Sequence, residues 1–219
     1  MSCSDTTAVT GPAAVPRKPA GHAAVVLAAG GSTRLGFPKQ LLCRAGEPLV
    51  ARAVRLAAGT APDRLVVMLG GHRDAVAAAL TSAPGERCDV PAWHTGLAAS
   101  LAAAARALQG HAGPVLVVAV DQPALEATHL RALLDGAATA PSRCAATLHG
   151  DRPGIPAVLS PALFAQVEAL RGDRGFGGLL AALPQAALFR LEAPALQRDL
   201  DTPEAVRQAQ ADGLLDRDR

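Results

Sequence analysis

The chain has 219 residues, half of them apolar and 18% charged, with a formal net charge of +2. That is enough apolar material for the core of one α/β domain, and too little positive charge for a histone-like or basic-tailed nucleic-acid binder. Five aromatic residues, four Phe and Trp93, are too few for base-stacking platforms. No run of about 18 residues is uniformly apolar, so no membrane span is expected. The cysteines (Cys3, Cys43, Cys88, Cys144) form no CxxC pair, which points to neither a zinc site nor a disulfide framework.

Residues 1–21 are rich in Pro, Ala and Thr and lack a continuous apolar stretch. They read as a disordered tail and a poor signal peptide, so a cytoplasmic location is expected. Residues 22–212 read as the domain and 213–219 as a second tail. Strands are expected over residues 22–28, 64–69 and 113–120, each a continuous apolar run of the kind buried on both faces of a parallel sheet. Helices are expected over 48–58, 73–80, 96–108 and 127–138. This β-α-β-α-α-β-α rhythm predicts an α/β fold with a doubly wound, mostly parallel sheet. In the second half, 143–148, 157–159 and 186–191 read as strands. Residues 161–170, 177–182 and 202–211 read as helices, the last one opened by Thr202-Pro-Glu.

The first strand runs into Ala28-Ala-Gly-Gly-Ser-Thr-Arg-Leu-Gly-Phe-Pro-Lys-Gln40. In such a sheet, ligands sit beyond the carboxyl ends of the strands, so this loop is in the right place to meet one. Gly30, Gly31 and Gly36 would let backbone N–H groups approach an anion, and Ser32 would add a hydroxyl donor. Arg34 and Lys39 bring two positive charges, and no acidic residue occurs between Asp5 and Glu47. A Walker loop is excluded because no Gly-Lys-Ser/Thr follows. A dinucleotide fingerprint is disfavoured because the second strand ends Leu69-Gly-Gly-His72, without an acid. Asp121 ends the third strand, where it would either ligate a divalent cation beside a polyphosphate or head a turn before Pro123. Asp199 and Asp201 share one side of an extended segment. They would complete that metal site, or Asp201 or Thr202 would cap the last helix.

Taken together, these pieces resemble the nucleotidyltransferases related to the molybdenum-cofactor enzymes. The resemblance rests on Leu27-Ala-Ala-Gly-Gly-Ser-Thr-Arg-Leu-Gly-Phe-Pro-Lys-Gln-Leu-Leu42, Asp121-Gln-Pro123 and Asp199-Leu-Asp-Thr-Pro-Glu204. Trp93-His-Thr-Gly-Leu-Ala-Ala-Ser-Leu101 and Gly172-Asp-Arg-Gly-Phe-Gly-Gly-Leu-Leu180 extend it over about residues 23 to 210. The Ala28-Ala29-Gly30 and Asp121-Gln122-Pro123 variants are more similar to the cytidylyltransferase branch than to the guanylyltransferase branch.

The resemblance implies a Rossmann-like three-layer α/β/α sandwich of the nucleotide-diphospho-sugar transferase type. It implies transfer of a nucleoside monophosphate from an NTP, here CTP, to the phosphate of molybdopterin, with release of pyrophosphate. That phosphate has its second pKa near about 6 and is largely a dianion at neutral pH, so no general base is required. Arg34 and Lys39 are then the catalytic cations, offsetting charge on the phosphates in the transition state. Residues Leu27, Ala28, Ala29, Gly30, Gly31 and Ser32, with Gly96 and Ser100, would bind the nucleotide. Asp121 and Asp201 would hold Mg²⁺, with Asp199 beside them, and Gly154, Pro156, Asp173 and Arg174 would face the acceptor. A molybdoenzyme is an implied partner. The sequence departs from the family pattern at Ile155, Phe176 and Gly177 and at Val90-Pro91, which leaves two alternatives open. One is a different phosphorylated acceptor. The other is a non-catalytic, nucleotide-binding chaperone or regulator of molybdoenzyme maturation.

Overall fold

Ala23–Ala28 forms the first strand, β1, and all of its residues except Leu27 are buried. It belongs to a computed structural model that describes residues 21–217. Residues 1–20 and the last two, expected to be tails, lie outside the described residues.

A loop and a short 3₁₀ turn follow, then a two-residue hairpin, β2 (Cys43–Arg44) and β3 (Glu47–Pro48). The chain continues through α1 (Leu49–Ala58), β4 (Arg64–Leu69), α2 (Arg73–Ala78), β5 (Glu86–Asp89), α3 (Leu97–Ala107) and β6 (Val115–Ala119). The second half holds α4 (Ala127–Thr139), β7 (Cys144–His149), β8 (Arg152–Leu159), α5 (Pro161–Phe164), α6 (Gly177–Ala181), β9 (Leu188–Glu192) and α7 (Pro203–Ala211). Seven strands form one sheet in the order β5-β4-β1-β6-β8-β7-β9. β1 pairs in parallel with both β4 and β6, while β8 pairs antiparallel with both β6 and β7. The tight link between β7 and β8 explains the reversal. Only Gly150 and Asp151 separate the paired residues His149 and Arg152, too short a connection for a parallel crossover.

Side chains alternate across the sheet and divide the core into two layers. Val26, Leu69 and Val118 face Val54, Leu130 and Leu133 of α1 and α4. Val25, Met68 and Val117 face Leu101 of α3, Phe164 and Leu180. Helices thus cover both faces, as a doubly wound sheet requires. Strand order turns about β1, because the chain builds outward through β4 and β5 and then returns to β6 on the other side. A crevice at the carboxyl ends of β1 and β6 follows from that switch.

A third apolar cluster joins Leu35 of the glycine-rich loop to Leu49, Leu200, Val206, Ala209 and Leu215. The segment after α7, expected to trail away as a tail, is in fact anchored. Asp216 donates its N–H to the Cys43 carbonyl (2.8 Å), and its carboxylate accepts from the N–H groups of Ala45 and Gly46 (2.8 and 2.7 Å). Ala45 has φ +53, a left-handed conformation costing an Ala about 1–2 kcal/mol, so this carboxylate supports a strained turn. Among the described residues, no helix is long and apolar enough to cross a membrane.

Candidate active site

The loop leaving β1 is held from inside by its own polar groups. Pro38 leads into a 3₁₀ turn over Lys39–Leu41, and Gln40 in that turn is fully buried. Its amide donates to the carbonyls of Ala28 (3.0 Å) and Gly30 (2.6 Å) and accepts from the Ser32 hydroxyl (3.3 Å). The Ser32 oxygen in turn accepts from the Lys39 N–H (3.1 Å). Ser32, expected to donate to an anion, here braces the loop: from a left-handed backbone (φ +49) its hydroxyl is engaged by Gln40 and the Lys39 N–H. Ala28 is also withdrawn from the surface, buried and with its carbonyl held by Gln40. Gln40 was not among the expected functional residues. Its signal was its place beside Lys39, and its burial could not be read from sequence.

The two glycines after Ala29 do different work. A Cβ on Gly30 would meet open space, whereas one on Gly31 would lie 2.4 Å from the Trp93 ring. On Gly70 it would fall 2.6 Å from Trp93 Cβ, and on Gly71 2.5 Å from the Gly31 Cα. Gly31 is therefore required by indole packing against the loop, and Gly30 is the position that leaves backbone open to a ligand. Gly36 takes φ +76 and serves the turn.

Beyond the ends of β1 and β6 lies a cleft of about 680 Å³. Leu27, Ala29, Gly30, Gly31 and Lys39 line one side, and Gly96 and Ser100 line another. Asp121, Gly154, Asp173 and Asp199 also line it, so most of the expected residues converge. Gly96 has φ +112, and a Cβ there would strike the Gly172 carbonyl at 2.4 Å. Ala98 N–H donates to that carbonyl (3.0 Å), which fuses the 96–100 and 172–178 segments into one wall. Trp93, His94, Ile155 and Phe176 are also part of the lining. Besides Ala28 and Ser32, four expected residues lie outside the lining, one of them Asp201, which reaches the site only through its ion pairs with Lys39 and Arg34. Pro156 is buried in the core side of β8, Arg174 is exposed outside the cleft, and Arg34 does not line it.

The centre of the site is an ion-pair cluster. Lys39 Nζ lies 2.6 Å from Asp121 Oδ2 and 2.6 Å from Asp201 Oδ1, and the Arg34 guanidinium donates to Asp201 Oδ2 at 2.7 Å. Lys39 and Asp121 are only 13% and 19% exposed, against 68% for Arg34. Two backbone devices bring these groups together. Leu200 N–H donates to the Asp121 carbonyl (3.2 Å). Thr202, not Asp201, caps α7, its hydroxyl accepting from Ala205 N–H (3.2 Å), which leaves the Asp201 carboxylate free.

Burial works against the charge on Lys39, but Asp121 and Asp201 outweigh it and hold its pKa above the ordinary lysine value. Burial likewise opposes charge on Asp201, and Lys39 and Arg34 overcome it, keeping that carboxyl below its usual range. Asp199 behaves differently. The residue is exposed overall, yet its carboxyl borders the cleft, where burial first and the Asp121 charge second push it up to about 6.

The expected metal set is therefore not assembled as three converging ligands. Among the described residues, no three carboxylate, imidazole or thiolate groups come close enough to hold an ion. The Lys39 ammonium stands between two of the expected ligands.

Known proteins resemble this chain in sequence and in fold. Over 125 residues the chain is 38% identical to the bifunctional protein GlmU of Anaeromyxobacter dehalogenans (strain 2CP-C), covering 55% of this chain and 26% of that protein. The chain thus spans about a quarter of the length of the GlmU proteins it matches. The crystal structure of Rv0371c from Mycobacterium tuberculosis H37Rv superposes with a TM-score of 0.75 at 28% identity, over 87% of this chain and 97% of that one. Rv0371c in complex with manganese is also similar, with a TM-score of 0.70 at 26% identity over 86% and 97% of the two chains. A nucleotidyl transferase from Methanothermobacter thermautotroptrophicus shares the fold, with a TM-score of 0.74 at 24% identity over 89% and 98%. The family of MobA-like NTP transferase domains matches residues 24–187, which include β1, the glycine-rich loop, Lys39 and Asp121, and the chain belongs to that family of nucleotidyltransferases.

Proposed function

We propose that this nucleotidyltransferase moves a cytidylyl group from CTP to the phosphate of molybdopterin, releasing pyrophosphate. The observation that carries the reading is the cluster of Lys39, Asp121 and Asp201 beside the open backbone of Gly30. Lys39 would meet phosphate charge, Gly30 would admit the triphosphate, and the 96–100 segment would line the base and ribose. Ala29 lines the cleft where a glycine would leave more room. That difference favours a pyrimidine over guanine by about 1–3 kcal/mol.

The donor set fits a divalent cation. Two hard carboxylate oxygens, from Asp121 and Asp201, already surround a cationic atom, and Asp199 borders the same cleft. Mg²⁺ commonly takes only one or two carboxylates and completes its shell from phosphates and water, so a third protein ligand is unnecessary. Asp121 and Asp201 would hold it, with Asp199 beside them, and it would neutralise charge developing on the phosphates. The chain's own part is to orient the triphosphate and keep Lys39 within reach of it.

The test is pyrophosphate release from CTP and GTP with Mg²⁺ and molybdopterin. Faster release from CTP, with cytidylylated molybdopterin as product, is expected. Preference for GTP would overturn the branch assignment. CTP binding without release would favour the regulator reading.

A further inference from the structure

We propose that Lys39 occupies the cation position between Asp121 and Asp201 and gives it up to a divalent metal, its ammonium then pairing with the nucleotide's phosphates. This exchange rests on the nucleotidyl-transfer reading above.

Lys39 Nζ touches one oxygen of each carboxylate at 2.6 Å. Mg²⁺ binds such oxygens at about 2.0–2.1 Å, so it and the ammonium compete for the same two oxygens and repel each other. The Lys39 backbone is fixed by Ser32 Oγ and by its neighbour Gln40, which leaves the flexible four-carbon stem as the moving part. Arg34 is different. It holds the other oxygen of Asp201, Oδ2, from an exposed position, and leaves Oδ1 to whichever cation takes it.

Two consequences follow. Metal added alone must first displace a well-paired ammonium, so it binds weakly. With a nucleotide present the displaced ammonium gains a phosphate partner, and metal and nucleotide strengthen each other's binding reciprocally.

The experiment is Mn²⁺ titration of the full chain, followed by electron paramagnetic resonance, with and without a non-hydrolysable CTP analogue. Without the analogue, Lys39→Met is expected to bind Mn²⁺ roughly tenfold more tightly than the parent. Arg34→Met, which removes the same charge, should change it by less than about threefold, as an exposed pair would. With the analogue, Lys39→Met should lose most of the affinity gain seen in the parent. If Lys39→Met does not fold, Lys39→Gln takes its place in the same comparison.

Unchanged or weaker Mn²⁺ binding in the Lys39 variant overturns the exchange, as does an equal gain in Arg34→Met, which would reveal a general field effect. If the parent binds Mn²⁺ neither alone nor with the analogue, the metal-dependent transfer reading falls and the exchange falls with it.

Discussion

The carboxyl of Asp199 is pushed up to about 6, through burial first, then the Asp121 charge, with Asp201 adding to it. His149 and Lys39 pull in the opposite direction but do not prevail. A carboxyl with its folded pKa above the ordinary 3.8 makes the folded protein hold a proton that the unfolded chain releases. Stability contributed by this group therefore falls as pH rises from about 4 to about 6, and the full penalty is present above that. Asp199→Asn removes the penalty. In urea unfolding, the variant should exceed the parent in stability at about pH 7.5, and the difference should vanish near about pH 4. A difference of the same size at both pH values would show that the charge of Asp199 is not its cause. Lys39 and Asp201 contribute with the opposite sign, since each is held in its charged form by the other.

At the scale of elements, one buried side chain ties three segments of the site together. Gln122, 4% exposed, donates its amide to the Ile155 carbonyl of β8 (3.0 Å) and to the Leu196 carbonyl before Asp199 (2.9 Å). It links the turn after β6, the cleft wall at Ile155 and the segment carrying two carboxylates. Gln122→Glu places an acceptor against two carbonyls and should cost roughly 2–3 kcal/mol at neutral pH. Part of that loss should return near about pH 5, where a protonated carboxyl donates to one carbonyl. Gln122→Met, of similar size, should lose stability equally at both pH values when unfolded in guanidinium. Parallel pH dependence in the two variants would show that hydrogen bonding is not what Gln122 supplies. None of this bracket was visible in the sequence, where Gln122 stood only between a matched Asp and Pro. Elements with continuous apolar runs were legible: β1, β4 and β6 lie within two residues of their expected bounds. β5 was missed because Glu86-Arg-Cys-Asp89 is a charged edge strand with no apolar signal. β8 was expected only at its end, since Pro153, Gly154 and Pro156 read as breakers, and 161–170 divides into α5 and a 3₁₀ turn. At the site, glycines and charges announced the residue types. Their partners did not show, because Lys39 meets carboxylates 82 and 162 positions away in the chain.

Across the whole molecule, the charged groups lining the cleft are Lys39 against Asp121, Asp173 and Asp199. A triphosphate entering alone would meet more negative than positive charge, and a divalent cation alone would meet Lys39 already seated on two carboxylates. Each ligand therefore supplies what the other lacks. The cleft is also spanned by the full fold, with one wall from β1, one from α3 and one from the C-terminal half. Occupying it should stabilise the protein globally. A ligand at about 100 times its Kd adds about 2.7 kcal/mol, and in a domain of this size each kcal/mol raises Tm by about 2–4 °C. CTP with Mn²⁺ should thus raise Tm by roughly 5–10 °C, measured by the fluorescence of Trp93, which lines the cleft. CTP alone or Mn²⁺ alone should give clearly smaller shifts, and the combination should exceed their sum. If CTP alone gives the full shift, the cleft does not need a metal to accept the triphosphate, and the charge argument built on Asp121, Asp173 and Asp199 is wrong.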